Sequence, residues 1–187
     1  MKNQKISTKR IAMAGLMAAL TVIGSGLRLT IPVDIGGNTA FHLGNIMCAL
    51  SGILLGPWLG GAAAGVGSAI FDMLNPAYID EAWLSFLMKG AYGVATGLVI
   101  TLGRKEWGYG KAIAGTVCGA LTYAVLYLGK SFLKTMIVSG VTADAALIAV
   151  GLKLPATIFN AAVAVIFAPI LAVAIRKALK MNHISLN

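Results

Sequence analysis

The chain has 187 residues, of which 58% are hydrophobic and only 11% charged, and its mean hydropathy is +0.86. Those values exclude a soluble globular domain, and the formal net charge of +9 is not gathered into a Lys/Arg stripe with interleaved aromatics of the kind that binds nucleic acid. A polytopic membrane protein is expected instead: one domain with room for about six spans of ~20 residues, its surplus cations setting topology and attracting anionic lipid.

Lys2, Lys5, Lys9 and Arg10 precede the first apolar run. The first span is read over 7–27, with Ser7 or Thr8 as N-cap. A charged stretch before an apolar one also resembles a signal peptide, but Gly24-Ser25-Gly26 lead straight into further spans, so a retained helix is expected. Within it Ala14 and Ala18 stand one turn apart with Gly15 and Ala19 beside them, giving a smooth face. Residues 29–40, with Pro32, Gly36 and Gly37, read as an outer loop that folds over a site.

The second span, 41–55, is short. About 15 residues cover ~22 Å, less than a ~30 Å hydrocarbon core, so it is tilted, broken or shielded, and a re-entrant segment stays open as an alternative. Gly56-Pro57 turns the chain into a third span, 58–74, where Gly61, Gly65 and Ala69 repeat the small-xxx-small spacing that lets backbones approach closely. Internal packing alone would explain one such stripe; two leave one free for a partner.

An acidic outer loop follows with Asp72, Asn75, Asp80 and Glu81, then a fourth span, 83–102, and an inner loop with Arg104, Lys105 and Lys111. The fifth span is read over 111–132. Residues 133–152, with Gly140 and Gly151, read as a long outer connection, although 143–150 also fits a seventh partial span. The sixth span, 154–175, takes Pro155 in its first turn, and Pro169 is expected to kink it unless neighbours satisfy the freed carbonyl. Arg176, Lys177 and Lys180 come after. Short loops rich in Lys and Arg stay inside, so both termini face the cytoplasm and every carboxylate except Glu106 lies outside.

Polar groups inside a bilayer are costly, so their depth is informative. Asn45, Asp72, Lys89, Tyr92, Tyr127, Lys130 and Asn160 all fall in the outer halves of their spans, above an almost purely apolar inner half. That is the expected form of a small-molecule capture site open to the outside. Each has a plainer reading. Lys130 and Lys134 also suit snorkelling, Lys89 and Asp72 suit a structural ion pair, and Trp83, Tyr92, Tyr123 and Tyr127 suit interfacial anchoring as well as stacking on a flat heteroaromatic ring. His42 and Asn45 are one turn apart and positioned to hydrogen-bond a ligand, while an exposed or satisfied His42 is equally compatible. Trp58 and Trp107 read as inner anchors, His183 as solvated, and Cys48 and Cys118 as packing residues. A phosphate loop for ATP, an H-E-x-x-H or His/Cys metal cluster, and an intramembrane Ser/His pair are all missing from the sequence, so no enzyme, metal or cofactor is expected.

Phe41-His-Leu-Gly-Asn-Ile46, Leu54-Leu-Gly-Pro57 and Gly67-Ser-Ala-Ile-Phe-Asp72 together resemble the integral-membrane substrate-binding subunits, or S components, of energy-coupling factor (ECF) transporters. Lys153-Leu-Pro155 with Asn160 and Ala168-Pro169 resembles their last helix, and the likeness covers most of the chain. The resemblance implies an all-α bundle of six transmembrane helices in the plasma membrane of a bacterium. It implies capture of a vitamin or precursor from outside, through the outer halves of helices 4 to 6 and the loop after helix 1. It also implies docking on a transmembrane coupling subunit with two ATPases, which topples the S component to deliver its ligand. The Ala14/Ala18 face, with Gly15, resembles the alanine motif used for that docking; Gly61 and Gly65 supply the second smooth surface. The nickel and cobalt branch is disfavoured because residue 2 is Lys2 and no N-terminal histidine follows.

Within the vitamin branch the pattern is most similar to members for the pyrimidine moiety of thiamine, pyridoxine or riboflavin. Pantothenate, folate or a queuosine precursor are alternatives. The substrate-binding set expected on this reading is His42, Asn45, Asp72, Trp83, Lys89, Tyr92, Tyr127, Lys130 and Asn160. Two other classes compete, an autonomous small carrier or channel and a structural subunit without a ligand.

Overall fold

The computed structural model describes residues 7–32, 38–103 and 107–182. The expectations placed on Lys2, Lys5, Gly36, Gly37, Arg104, Lys105, Glu106 and His183 therefore fall outside the described residues. Six α-helices carry the described chain: α1 (Thr8–Gly26), α2 (Gly44–Leu55), α3 (Pro57–Met73), α4 (Ala82–Thr101), α5 (Tyr109–Ser139) and α6 (Ala143–Met181). A short antiparallel hairpin, β1 (Arg28–Ile31) with β2 (Thr39–His42), joins α1 to α2 in the register Arg28↔His42 to Ile31↔Thr39. Three segments are long and apolar enough on their own to cross a membrane: Ile79–Thr101, Tyr109–Ser139 and Ala143–Met181.

Local chemistry explains most boundaries. Ser7 caps α1 by accepting from the Arg10 backbone N–H, as Thr142 caps α6 through the Ala145 N–H. Gly56, with φ of 82°, makes the corner from α2 into α3, and Gly140, with φ of 63°, ends α5 in the left-handed region that glycine adopts without steric cost. Inside the helices, Thr21, Ser51, Thr116 and Thr157 donate to the carbonyl four residues back, so no hydroxyl among them faces hydrocarbon unpaired.

Several expected boundaries change. The second span starts at Gly44 rather than at 41, because Phe41 and His42 belong to β2. The fifth helix continues to Ser139, and the sixth begins at Ala143, so 133–152 is a helical hairpin and not an outer connection. Pro155 accordingly lies inside α6, together with Pro169, instead of in its first turn. Gly151, which suggested a break, lies inside α6, where a Cβ would meet nothing within 4 Å.

The short second span is shielded by its neighbours, one of the arrangements its length allowed. It is buried along most of its length and touches α1, α3, α4, α5 and α6. Twelve residues reach only ~18 Å, so α2 fills only part of the length of the bundle. Its C-terminal end is closed by Arg10, whose Nη2 donates to the Leu55 carbonyl at 2.7 Å. Lys111 likewise donates to the Leu102 carbonyl beyond α4, and Arg176 Nη1 to that of Trp107 at 2.7 Å. Cations at helix C-termini also complement the helix dipole.

Glycine lets α3 and α4 meet at backbone distance. A Cβ on Gly61 would lie 2.5 Å from a Val94 methyl, and one on Gly65 2.7 Å from the Phe86 carbonyl oxygen. Both stripe glycines of the third span are consumed by internal packing. Ala18 is buried too, since α3 lies so close to α1 that a Cβ on Gly67 would fall 2.4 Å from the Ala18 carbonyl oxygen. Gly15 and Ala19 are exposed and Ala14 is half-buried, so the free small-residue face of α1 is turned about a quarter-turn from the Ala14/Ala18 line.

Candidate functional site

Above the N-terminal end of α2 lies a cavity of about 230 Å³. Its walls come from the hairpin and from α3, α4, α5 and α6. The hairpin is held over it by one residue of α6: Asn160 Oδ1 accepts from the His42 backbone N–H at 2.9 Å, and Asn160 Nδ2 donates to the Ala40 carbonyl at 2.8 Å. Edge-to-face packing of Phe41 on Phe159, centroids 5.0 Å apart, fixes the same junction. His42 turns its ring inward, where Nδ1 accepts from the Gly44 N–H at 3.2 Å, and the residue lines the cavity.

Helical spacing arranges the other walls. Tyr123, Tyr127, Lys130 and Lys134 follow each other at intervals of three or four along α5, with Ser131 four residues after Tyr127, so they share one side of the helix, and all line the cavity. Lys153, Thr157 and Asn160 do the same on α6. The Tyr123 and Tyr127 rings stack at 5.6 Å and 15°, and Tyr92 stacks behind Tyr123 at 6.1 Å. They form a ladder of flat surfaces from the buried interior toward the mouth.

The cations are distributed around this ladder. Lys89, only 6% exposed, donates to Asn45 Oδ1 and stands 4.0 Å above the Tyr123 ring. The expected Asp72–Lys89 ion pair is not formed: the ion pairs among the described residues join Glu81 to Lys130 and to Lys134. Asp72 nonetheless lines the same cavity. Lys130 and Lys134 are thus engaged by a carboxylate of the α3–α4 connection. Arg28 of β1 lies over Phe71 at 4.1 Å and Tyr78 at 4.8 Å, with Nε donating to the Ser25 carbonyl at 2.9 Å. Lys153, 4% exposed, donates to Ser131 Oγ at 2.6 Å.

Of the residues singled out from sequence, His42, Asp72, Lys89, Tyr127, Lys130 and Asn160 line one cavity. Asn45 and Tyr92 stand directly behind it, one holding Lys89 and the other backing Tyr123. Trp83 is 63% exposed and points away. Arg28, Glu81, Ser131 and Lys153 were not anticipated. For Lys153 a signal was present: 153, 157 and 160 fall on one helical face once the helix is allowed to run past Pro155. Of the cysteines, Cys48 is fully buried and Cys118 is exposed on the outer surface of α5.

A cavity set in a helical membrane bundle, walled by an aromatic ladder, ringed with cations and closed by a hairpin, is suited to holding a small polar ring. Two comparisons concern the chain as a whole. Residues 5–177 match the family model described as ECF-type riboflavin transporter, S component. A protein of Pyrococcus woesei, an archaeon, described as an uncharacterized protein in gap 3'region, is 32% identical over 114 residues, covering 61% of this chain and 72% of that one.

Proposed function

We propose, from the premise that this chain belongs to the ECF-type riboflavin transporter S component family, that it captures a compact vitamin or vitamin precursor from outside the cell. The observation that carries this reading is the Tyr123/Tyr127 ladder beside Lys89 and Asn160 in one cavity. A flat heteroaromatic with hydroxyl or amine groups suits it: the ring stacks on tyrosine, and its polar edge meets Lys89, Asn160 and the His42 region. Hydroxymethylpyrimidine or pyridoxine fits that description. Riboflavin is the second reading, favoured by the family's own description.

S components bind substrate and are not enzymes; hydrolysis of ATP is assigned on this reading to two ATPase partners, and docking to a coupling subunit in the cytoplasmic membrane. The exposed Gly15 and Ala19 on α1, with half-buried Ala14 at their edge, offer the docking face. Ala18, Gly61 and Gly65 support it from behind by letting α1, α3 and α4 pack closely.

Native mass spectrometry of the purified protein, with a thermal-shift panel of B vitamins and their precursors, tests the capture role. A co-purified or stabilising heteroaromatic is the expected result. A folded protein that binds none of them, or that drives uptake into vesicles with no ATPase present, would overturn it in favour of a structural subunit or an autonomous carrier.

A further inference from the structure

The α5–α6 hairpin is longer than the rest of the bundle. The 20 residues of α4 reach ~30 Å, about the thickness of a hydrocarbon core, whereas the 31 of α5 and the 39 of α6 reach ~46 Å and ~58 Å. Part of the excess lies at the end that carries the cavity. Glu81, just before α4, meets Lys130 of α5, and α5 continues from that level to Ser139, another ~14 Å. The first turns of α6, from Ala143, run back beside it, and Ser131 meets Lys153 across the pair.

Polarity does not change where this extension begins. Leu121, Val125, Gly129, Leu133 and Ile137 recur at every fourth residue of α5, and all are exposed, so a nearly straight row runs from the middle of the helix past Lys130 toward its end. Ile148, Leu152 and Phe159 are exposed along α6 in the same way. Near the turn Ile137 and Ile148 are 77% and 64% exposed, while Thr135, Ala146 and Ala149 are buried. The one charged residue between 135 and 152 is Asp144, exposed beside Ser139 and Thr142 at the turn itself. The α3–α4 connection at the same end has another character, with Asn75, Asp80 and Glu81 in a short stretch.

We infer that the end of the α5–α6 hairpin is a lipid-binding surface, its apolar rows covered by acyl chains and only the turn at 139–144 reaching the headgroups. Continuity identifies the occupant: the rows extend the faces that α5 and α6 present to hydrocarbon within the span, with no break in composition. Apolar side chains exposed on both helices of a hairpin are unfavourable against water, and a segment longer than the core is accommodated by tilt or by local thickening of the bilayer. The surface is separate from the cavity and stands whichever ligand the cavity takes.

Collisions of a nitroxide label decide it, with the full chain reconstituted in phosphatidylcholine vesicles. Cys118, exposed on α5, is labelled in the unsubstituted chain as the hydrocarbon reference; Cys48 is fully buried. In a Cys118→Ser background the label is carried by Ile137→Cys or by Ile148→Cys, with the exposed Asp80→Cys as the aqueous reference. At both hairpin positions the ratio of oxygen collisions to those of a water-soluble nickel chelate is expected to be several-fold above that at 80 and close to that at 118. The two positions lie on different helices, so either decides the matter should the other variant not fold. A ratio like that at 80 would place the hairpin end in water, and protection from both reagents would mean that protein covers it, a second copy included; either result overturns the inference.

Discussion

Asn160 connects two parts of the chain 118 residues apart through a single amide, accepting from one strand atom and donating to another. Neither bond is replaceable by an apolar side chain, and a buried backbone N–H or C=O left unpaired costs about 1–3 kcal/mol. Asn160→Leu is therefore expected to release the hairpin without unfolding the bundle. Hydrogen exchange checks this directly: the amide of His42 should lose protection while amides of α4 keep theirs, and ligand affinity should fall about tenfold or more. Lys89 behaves differently. Its sequence position suggested an ion pair with Asp72, but the shorter α2 brings Asn45 into reach first, so Lys89→Ala strands an asparagine and not a carboxylate.

At the scale of elements, sequence revealed which residues are apolar more readily than where helices stop. Six helices, their order and the crowding of α3 were legible because hydrophobic runs and glycine stripes are local signals. The lengths of α5 and α6 were not, since Lys134, Asp144 and Lys153 fell in or beside the stretch read as an outer connection, when they in fact lie on helices, Lys134 and Lys153 facing a polar cavity. The hairpin was hidden for another reason: its two four-residue strands are too short to carry a pattern. Close helix packing offers a sharp check. A Cβ on Gly97 would lie 2.4 Å from the Pro57 backbone nitrogen, whereas one on Gly129 meets nothing within 4 Å. Gly97→Ala is expected to lower stability by about 1–3 kcal/mol, and Gly129→Ala to leave it unchanged or raise it by roughly 0.5–1 kcal/mol. Equal melting temperatures for the two variants would show that the α2–α3 corner does not pack on α4 in this way.

For the whole molecule, basic residues from which orientation was read also tie the chain together: Arg10 at the end of α2, Lys111 beyond α4, and Arg176 at Trp107 in the α4–α5 connection. The proposed docking face on α1 can be tested apart from the cavity. Gly15→Trp adds bulk on an exposed face with nothing within 4 Å of its Cβ direction. It is expected to abolish uptake in cells supplying the coupling subunit and ATPases while ligand affinity stays within about twofold; loss of binding in the folded variant would refute a docking role for that face. Ala18→Trp is not an equivalent test, because it would separate α1 from α3.

The placement of the aromatic residues has an optical consequence. None of the three tryptophans lines the cavity, and Trp58 and Trp83 are 73% and 63% exposed on the outer surface. The tyrosines of the ladder, by contrast, are at the site. Tryptophan emission from the unlabelled protein is thus expected to follow the surroundings of the exposed Trp58 and Trp83, and near-ultraviolet absorption of the stacked tyrosines to follow filling of the site. On the proposed reading, capture and any later movement of the body would then give separate signals in one sample, with no dye attached.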